Sequence, residues 1–129
     1  MEIYHRYLDS FKSLIADDAI IIDCHSFPER LAPDVDFCIG FNDDESKPDD
    51  KIINNITHLI RKYGYRVAVN YPFSNSITPV RPMAYKSIMI EVNKQTYMNE
   101  NTLDTTIKAQ HVSLVINHIL CGLVIGQFR

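Results

Sequence analysis

The sequence predicts an α/β fold, a mixed, mostly parallel sheet flanked by helices. Three observations point there. Ala19-Ile20-Ile21-Ile22 is a continuous, mostly β-branched apolar run, which suggests a strand buried on both faces. Segments 3–15 and 52–63 place apolar residues at helical spacing. Elements read in the order helix, strand, strand, helix, strand, strand, helix, an interleaving that argues for α/β layers.

The first helix is predicted from Ile3, Tyr7, Leu8, Phe11, Leu14 and Ile15, with Asp17-Asp18 closing it. The first strand is expected to end at Asp23-Cys24-His25-Ser26, which puts polar groups past the carboxyl end of a core strand, where open α/β sheets bind ligands. After a Pro-containing loop, Asp36 to Gly40 reads as a short second strand. Pro48-Asp49-Asp50 opens the next helix, with acids where they favour the helix dipole. Its buried face is Ile52, Ile53, Ile56, Leu59, Ile60 and Tyr63, and Gly64 suits a left-handed stop. Tyr65 to Val69 is the third strand and Ser87 to Val92 the fourth, separated by a loop rich in Ser, Asn and Pro. Asn101 to Asp104 offer N-caps for a last helix running to about Cys121. The apolar stretch from Val112 to Ile125 reads as a buried helix, too short and too interrupted by Asn117 and His118 to span a bilayer.

The chain's 129 residues suit a single domain over 1–129. A net charge of −3 without any Lys/Arg block disfavours nucleic acid as a partner. Three irregularly spaced cysteines do not form a disulfide framework, and the N-terminus lacks a signal-peptide pattern, so a cytoplasmic protein with no membrane partner is expected.

Several residues can carry chemistry. Asp23 and His25 lie two apart on a strand and share a face, so the carboxylate can hold a metal-binding imidazole; it can equally just end the strand. Glu91 interrupts the apolar run Ile88 to Val92. Buried, it would have a raised pKa suited to a general base; alternation also allows it a solvated face with Met89 and Asn93. Asn70, Tyr71, Phe73 and Ser74 follow a strand directly and can orient a polar substrate, or simply form a Pro-directed turn. Arg81 can fork onto a carboxylate, or stand exposed in its loop. The acids from Asp43 to Asp50 lack the pattern of a calcium loop and read as a solvated loop. Cys24 and His25 point to opposite faces, which argues against a thiol nucleophile. His58, His111 and His118 fall in predicted helices as surface or core residues.

Five segments, in order, resemble the N-formylglutamate amidohydrolase family: Ile22 to Pro28, Asp36 to Gly40, Gly64 to Ser74, Ser87 to Asn93, and Tyr97-Met98. The resemblance implies a zinc carboxypeptidase-like (phosphorylase/hydrolase-like) fold, and a zinc-dependent hydrolase that splits N-formylglutamate into formate and glutamate late in histidine breakdown. It implies His25 as a zinc ligand, Glu91 as the base acting on zinc-bound water, and Asn70 to Ser74 bordering a small acidic amide substrate. Asn75 stands where the family has glycine, and Lys94 where it has arginine. The family's other zinc ligands, a His and a Glu, lie in an N-terminal segment ahead of the stretch seen here. The expectation is therefore a truncated domain that pairs with a complementary N-terminal chain or with a second copy, which would cover its open sheet edge. The alternative expectation is an inactive remnant that binds a small acid or a partner.

Overall fold

The computed structural model describes residues 19–76 and 85–128, together with Arg6, Tyr7, Asp9, Ser10 and Ser13. Those five early residues are helical, as the sequence predicts; most of the apolar stripe assigned to that helix, and Arg81, lie outside the described residues.

Four strands follow: β1 (Ala19–Phe27), β2 (Phe37–Gly40), β3 (Val67–Val69) and β4 (Tyr85–Asn93). They form one sheet in the order β1-β4-β2-β3. β1 pairs parallel with β4, β2 pairs antiparallel with β4, and β3 pairs parallel with β2. The sheet is thus mixed and mostly parallel. The two long helices are α1 (Asp50–Lys62) and α2 (Lys108–Val124), and single 3-10 turns follow β1 and β4 at Glu29–Leu31 and Lys94–Thr96.

Strand alternation divides the sheet into two faces. Phe37, Ile39, Ile88, Ile90 and Val92 face the helices and pack with Ile56 and Ile60 of α1 and Val115 and Ile119 of α2. On the opposite face Phe27, Ala32, Val35, Cys38 and Met89 make a smaller cluster. Asp23, His25, Glu91 and Asn93 belong to this second face by the same alternation.

α1 forms where its apolar spacing predicts, and Gly64 ends it at φ 88°. Gly64 N–H donates to the Arg61 carbonyl (2.9 Å) and Tyr65 N–H to the Ile60 carbonyl (3.3 Å), so the turn satisfies carbonyls that the helix end would orphan. α2 begins later than its N-cap candidates suggest. Asn99 Oδ1 accepts from Asn101 N (2.9 Å) and Thr102 N (3.3 Å), which holds those residues in a turn instead. Nor is α2 buried all round: Val112, Val115, Ile119 and Leu123 are buried, while Leu114 and Val124 are exposed. β1 also differs from expectation. It runs on through Asp23-Cys24-His25-Ser26 to Phe27 because β4 pairs with it along the whole length, and it is an outer strand of the described sheet.

One ion pair fastens the short strands. Arg66 Nε and Nη2 fork onto Asp36 Oδ2 (3.0 Å) and Oδ1 (2.8 Å), and Arg66 N–H adds a bond to Oδ2 (2.7 Å). Burial pushes the Asp36 carboxyl up, but the Arg66 hydrogen bonds outweigh it and hold the pKa below the usual value. A carboxylate with a lowered folded pKa stabilises the fold above its unfolded pKa of about 3.9 and loses that contribution as pH falls through the folded value. Asp36→Asn should therefore cost about 1–3 kcal/mol at pH 7 and flatten the acid limb of stability. Urea titrations from pH 7 down to pH 2 check this; an unchanged acid limb would contradict it.

Candidate active site

The β1–β4 register sets His25 directly beside Glu91, and the β2–β4 register sets Cys38 on the other side of Glu91. All three therefore project from the same sheet face. Asp23, two residues before His25, joins them. Its Oδ1 lies 2.6 Å from His25 Nε2. The pairing expected from the two-residue spacing is present. A neutral His25 that donates Nε2–H to Asp23 keeps its Nδ1 lone pair for a proton or a metal. The His25 side chain is 50% exposed, and that of Asp23 only 11%.

Glu91 is 7% exposed, which rules out the solvated-face reading. Its Oε2 is buried and has no hydrogen-bond partner among the described residues. Burial pushes the Glu91 carboxyl above its usual range; a charged His25 opposes this, and Asp23 adds to it. A buried carboxylate oxygen without a donor is costly, and such groups concentrate at functional sites.

The loop after β3 makes one wall. Phe73 stacks edge-on against Phe27 (6.0 Å between ring centres), and its carbonyl accepts from the Cys38 thiol (3.2 Å). Ser74 is exposed beside it. The Tyr71–Pro72 bond in this loop is cis. Asn70 does not join His25 and Glu91 as expected. β3 runs antiparallel to β4, so the end of β3 lies toward the opposite end of the sheet. The Asn70 side chain is also committed: Oδ1 accepts from Phe41 N (3.0 Å), fixing the chain as it leaves β2.

Asn75 adopts φ 75°, a left-handed conformation that glycine takes most easily and asparagine tolerates. Gly40 faces the same turn. A Cβ on Gly40 would stand 2.8 Å from the Asn75 carbonyl and against the Met89 side chain. Gly40→Ala is thus expected to destabilise by about 1–3 kcal/mol, read as a lower midpoint in thermal melting; an unchanged midpoint would contradict the close packing.

Two residues carry more of this site than their sequence context indicated. Cys38 is fully buried beneath Glu91 and holds the Phe73 loop. Asn93, also fully buried, donates Nδ2 to the carbonyls of Ala32 (3.1 Å) and Val35 (2.8 Å) and accepts from Gln95 N (3.1 Å). The signal for Asn93 was its alternation with Met89 and Glu91 along β4. Nothing local marked Cys38.

Other candidates settle into structural roles. Cys24 faces away from His25 along the strand, and burial, with the Asp23 charge, pushes its thiol pKa up, which disfavours a thiolate nucleophile. His111 and His118 meet the hydroxyls of Tyr65 (2.7 Å) and Tyr63 (2.9 Å) through Nδ1. In the acidic loop Asp44 Oδ1 accepts from Ser46 N (2.7 Å) and Ser46 Oγ (2.6 Å), a local turn.

A catalytic zinc ion normally takes three protein ligands and a water. Among the described residues no group of three His, Cys, Asp or Glu side chains converges to hold a metal. His25 Nδ1 suits one ligand position, so the described residues do not by themselves fit a complete zinc centre. No described helix is long and apolar enough to cross a membrane.

Comparison with known proteins agrees with this architecture. A search of curated proteins finds no match. Among solved structures, the chain is similar in fold to a crystal structure of N-formylglutamate amidohydrolase from Ralstonia eutropha JMP134, with a TM-score of 0.63 at 21% identity. The likeness covers 86% of this chain and 44% of that one, so the chain spans less than half the length of that enzyme. The family model for N-formylglutamate amidohydrolase matches residues 2–98, the span that contains β1 to β4 with Asp23, His25 and Glu91, and the chain belongs to that family.

Proposed function

We propose that this chain serves the hydrolysis of a formyl amide, or a closely related small amide, of a small acid. Glu91 is the general base. The observation that carries this reading is the Glu91 carboxylate, buried and missing a donor at Oε2, beside the half-open Asp23–His25 pair. Its raised pKa brings its basicity closer to neutral pH, where a general base is effective.

In the reaction, water adds to the formyl carbon and gives a proton to Glu91. The carbon–nitrogen bond then breaks, and the proton passes to the leaving nitrogen. The products are formate and the free amine. Phe73 and Ser74 border the substrate from the loop side, and Arg81, outside the described residues, is the proposed partner of its carboxylate. Asn70 contributes by fixing the chain at Phe41.

Family membership implies zinc, which when bound polarises a carbonyl and lowers the pKa of water. In our reading His25 supplies one ligand, oriented by Asp23, and the others come from outside the described residues or from another chain. β1, an outer strand of the described sheet, offers an edge at which a complementary chain or a second copy can pair. Cys24, Cys38 and Cys121 are free thiols, which supports a reducing, cytoplasmic setting, and histidine breakdown is the corresponding pathway.

The test is to incubate the purified chain, with zinc in the buffer, with N-formylglutamate and follow formate and free amine by NMR. Both should appear in equal amounts. Absence of both would sink the hydrolase reading for this chain alone. A second reading, a non-catalytic module that binds a small acid or a partner, is favoured by the lack of a converging metal-binding group among the described residues. Melting curves separate the two. If zinc raises the midpoint and His25→Ala removes that rise, the non-catalytic reading fails; if neither changes the midpoint, His25 holds no zinc.

A further inference from the structure

Beyond its first residue, Lys108, α2 carries no Asp, Glu, Lys or Arg, and none follows it as far as Phe128. One side of α2 packs on the sheet through Val112, Val115, Ile119 and Leu123. The other side faces solvent. There Leu114 is 54% exposed and Val124 82%, and Ile107, which caps the helix in helical geometry, is 91% exposed. A solvated helix face normally bears charge, and this one bears none. Ile107, Gln110, Leu114, Asn117, Cys121 and Val124 are all exposed and recur at intervals of three and four. That spacing is the seam of a two-helix coiled coil. The residues that flank it, His111, Ser113, His118 and Leu120, add no carboxylate, ammonium or guanidinium. The family match ends at residue 98, so this face lies outside it.

The charges decide what can cover the seam. An uncharged face meets an identical face without repulsion, whereas a charged partner face would bury its charges there unpaired. They also decide the direction. The first turn of α2 has no acid and its last turn no base, so neither end of the helix dipole is offset. Parallel copies would bring two positive ends together, each with its Lys108. Antiparallel copies set each Lys108 toward the negative end of the other helix. We infer that α2 is a self-association surface, on which two copies of this chain pair α2 against α2, antiparallel, about a two-fold axis between Leu114 and Asn117. Ile107 then meets Val124 of the second copy, Gln110 meets Cys121, and Leu114 meets Asn117. The contact is about 25 Å long and one helix wide, so it buries an area at the low end of specific interfaces, about 1,000 Å². The dimer is accordingly weak, with a Kd of about 10 µM. The seam lies away from the sheet face that carries Glu91, so dimerisation does not depend on the amide-hydrolase reading.

The test is sedimentation velocity on the full chain in reducing buffer, from about 1 to about 500 µM. Wild type should pass from monomer to dimer across that range. Leu114→Lys alters an exposed side chain and leaves the core intact, so it should fold like wild type and weaken the dimer about tenfold or more. Leu31→Lys changes an exposed leucine off the seam and should leave the dimer within about twofold. A second variant needs no loss of contact. Gln110→Cys, treated with oxidised glutathione, should give a covalent dimer, and peptide mass mapping should place its disulfide between position 110 of one copy and Cys121 of the other. A wild type that stays monomeric at about 500 µM would overturn the inference and leave the face to a partner of different sequence. A dimer indifferent to Leu114→Lys would overturn it too, as would a disulfide joining Cys121 to Cys121 across two copies, which is the parallel arrangement.

Discussion

Glu91→Gln is expected to lower kcat for amide hydrolysis by about 10²–10⁴-fold and, at the same time, to raise stability near neutral pH. The two effects share one origin. The carboxylate accepts the proton of the attacking water, and glutamine cannot. The same carboxylate is buried beside Asp23, with Oε2 lacking a donor. Its folded pKa therefore lies above its unfolded value, and the folded state holds the proton more tightly. Stability falls as pH rises from the unfolded value, about 4.3, through the folded one, and the full cost stands above both. Glutamine removes that pH-dependent cost. Steady-state kinetics and urea denaturation at pH 7 check the pair of effects, and the stability difference should shrink as pH falls below about 4. A variant that is less stable at pH 7, or that keeps its activity, would contradict this role for Glu91.

Asn93→Leu should be the most damaging single change to the fold, at about 2–4 kcal/mol. Leucine has nearly the same size, so the loss is one of hydrogen bonding. Asn93 is fully buried, and its amide supplies donors to the carbonyls of Ala32 and Val35 and an acceptor to Gln95 N. Leucine leaves all three backbone groups without that partner. Typical domain stabilities are only about 5–15 kcal/mol, so a large fraction is at stake. Asn93 lies two residues beyond Glu91 on the same sheet face, so loosening it also loosens the end of β4. The expected result is a urea midpoint well below wild type. A midpoint within error of wild type would show that water replaces the side chain at no cost.

The sequence made strand and helix identities legible because periodicity is local. Ile52, Ile53, Ile56 and Ile60 declare α1, and Gly64 declares its end. The pairing of Asp23 with His25 was legible for the same reason, since it needs only two-residue spacing along a strand. Register was not legible. Nothing in the order of residues shows that β2 and β3 run against β4, and that reversal separates Asn70 from His25 and Glu91. The burial of Glu91 also depends on strand pairing between segments distant in sequence, with His25 on one side and Cys38 on the other, and alternation alone left it open. The exposed side of α2 was hidden by composition: its apolar residues continue past the stripe that packs on the sheet.

Hydrolysis of an N-formyl amino acid in ¹⁸O-labelled water by the purified chain, beside Glu91→Gln, tests most directly whether water activated at Glu91 performs the reaction. The expected result is formate carrying one ¹⁸O from wild type and no formate above background from the variant. Unlabelled formate, or equal release by the two proteins, would contradict it.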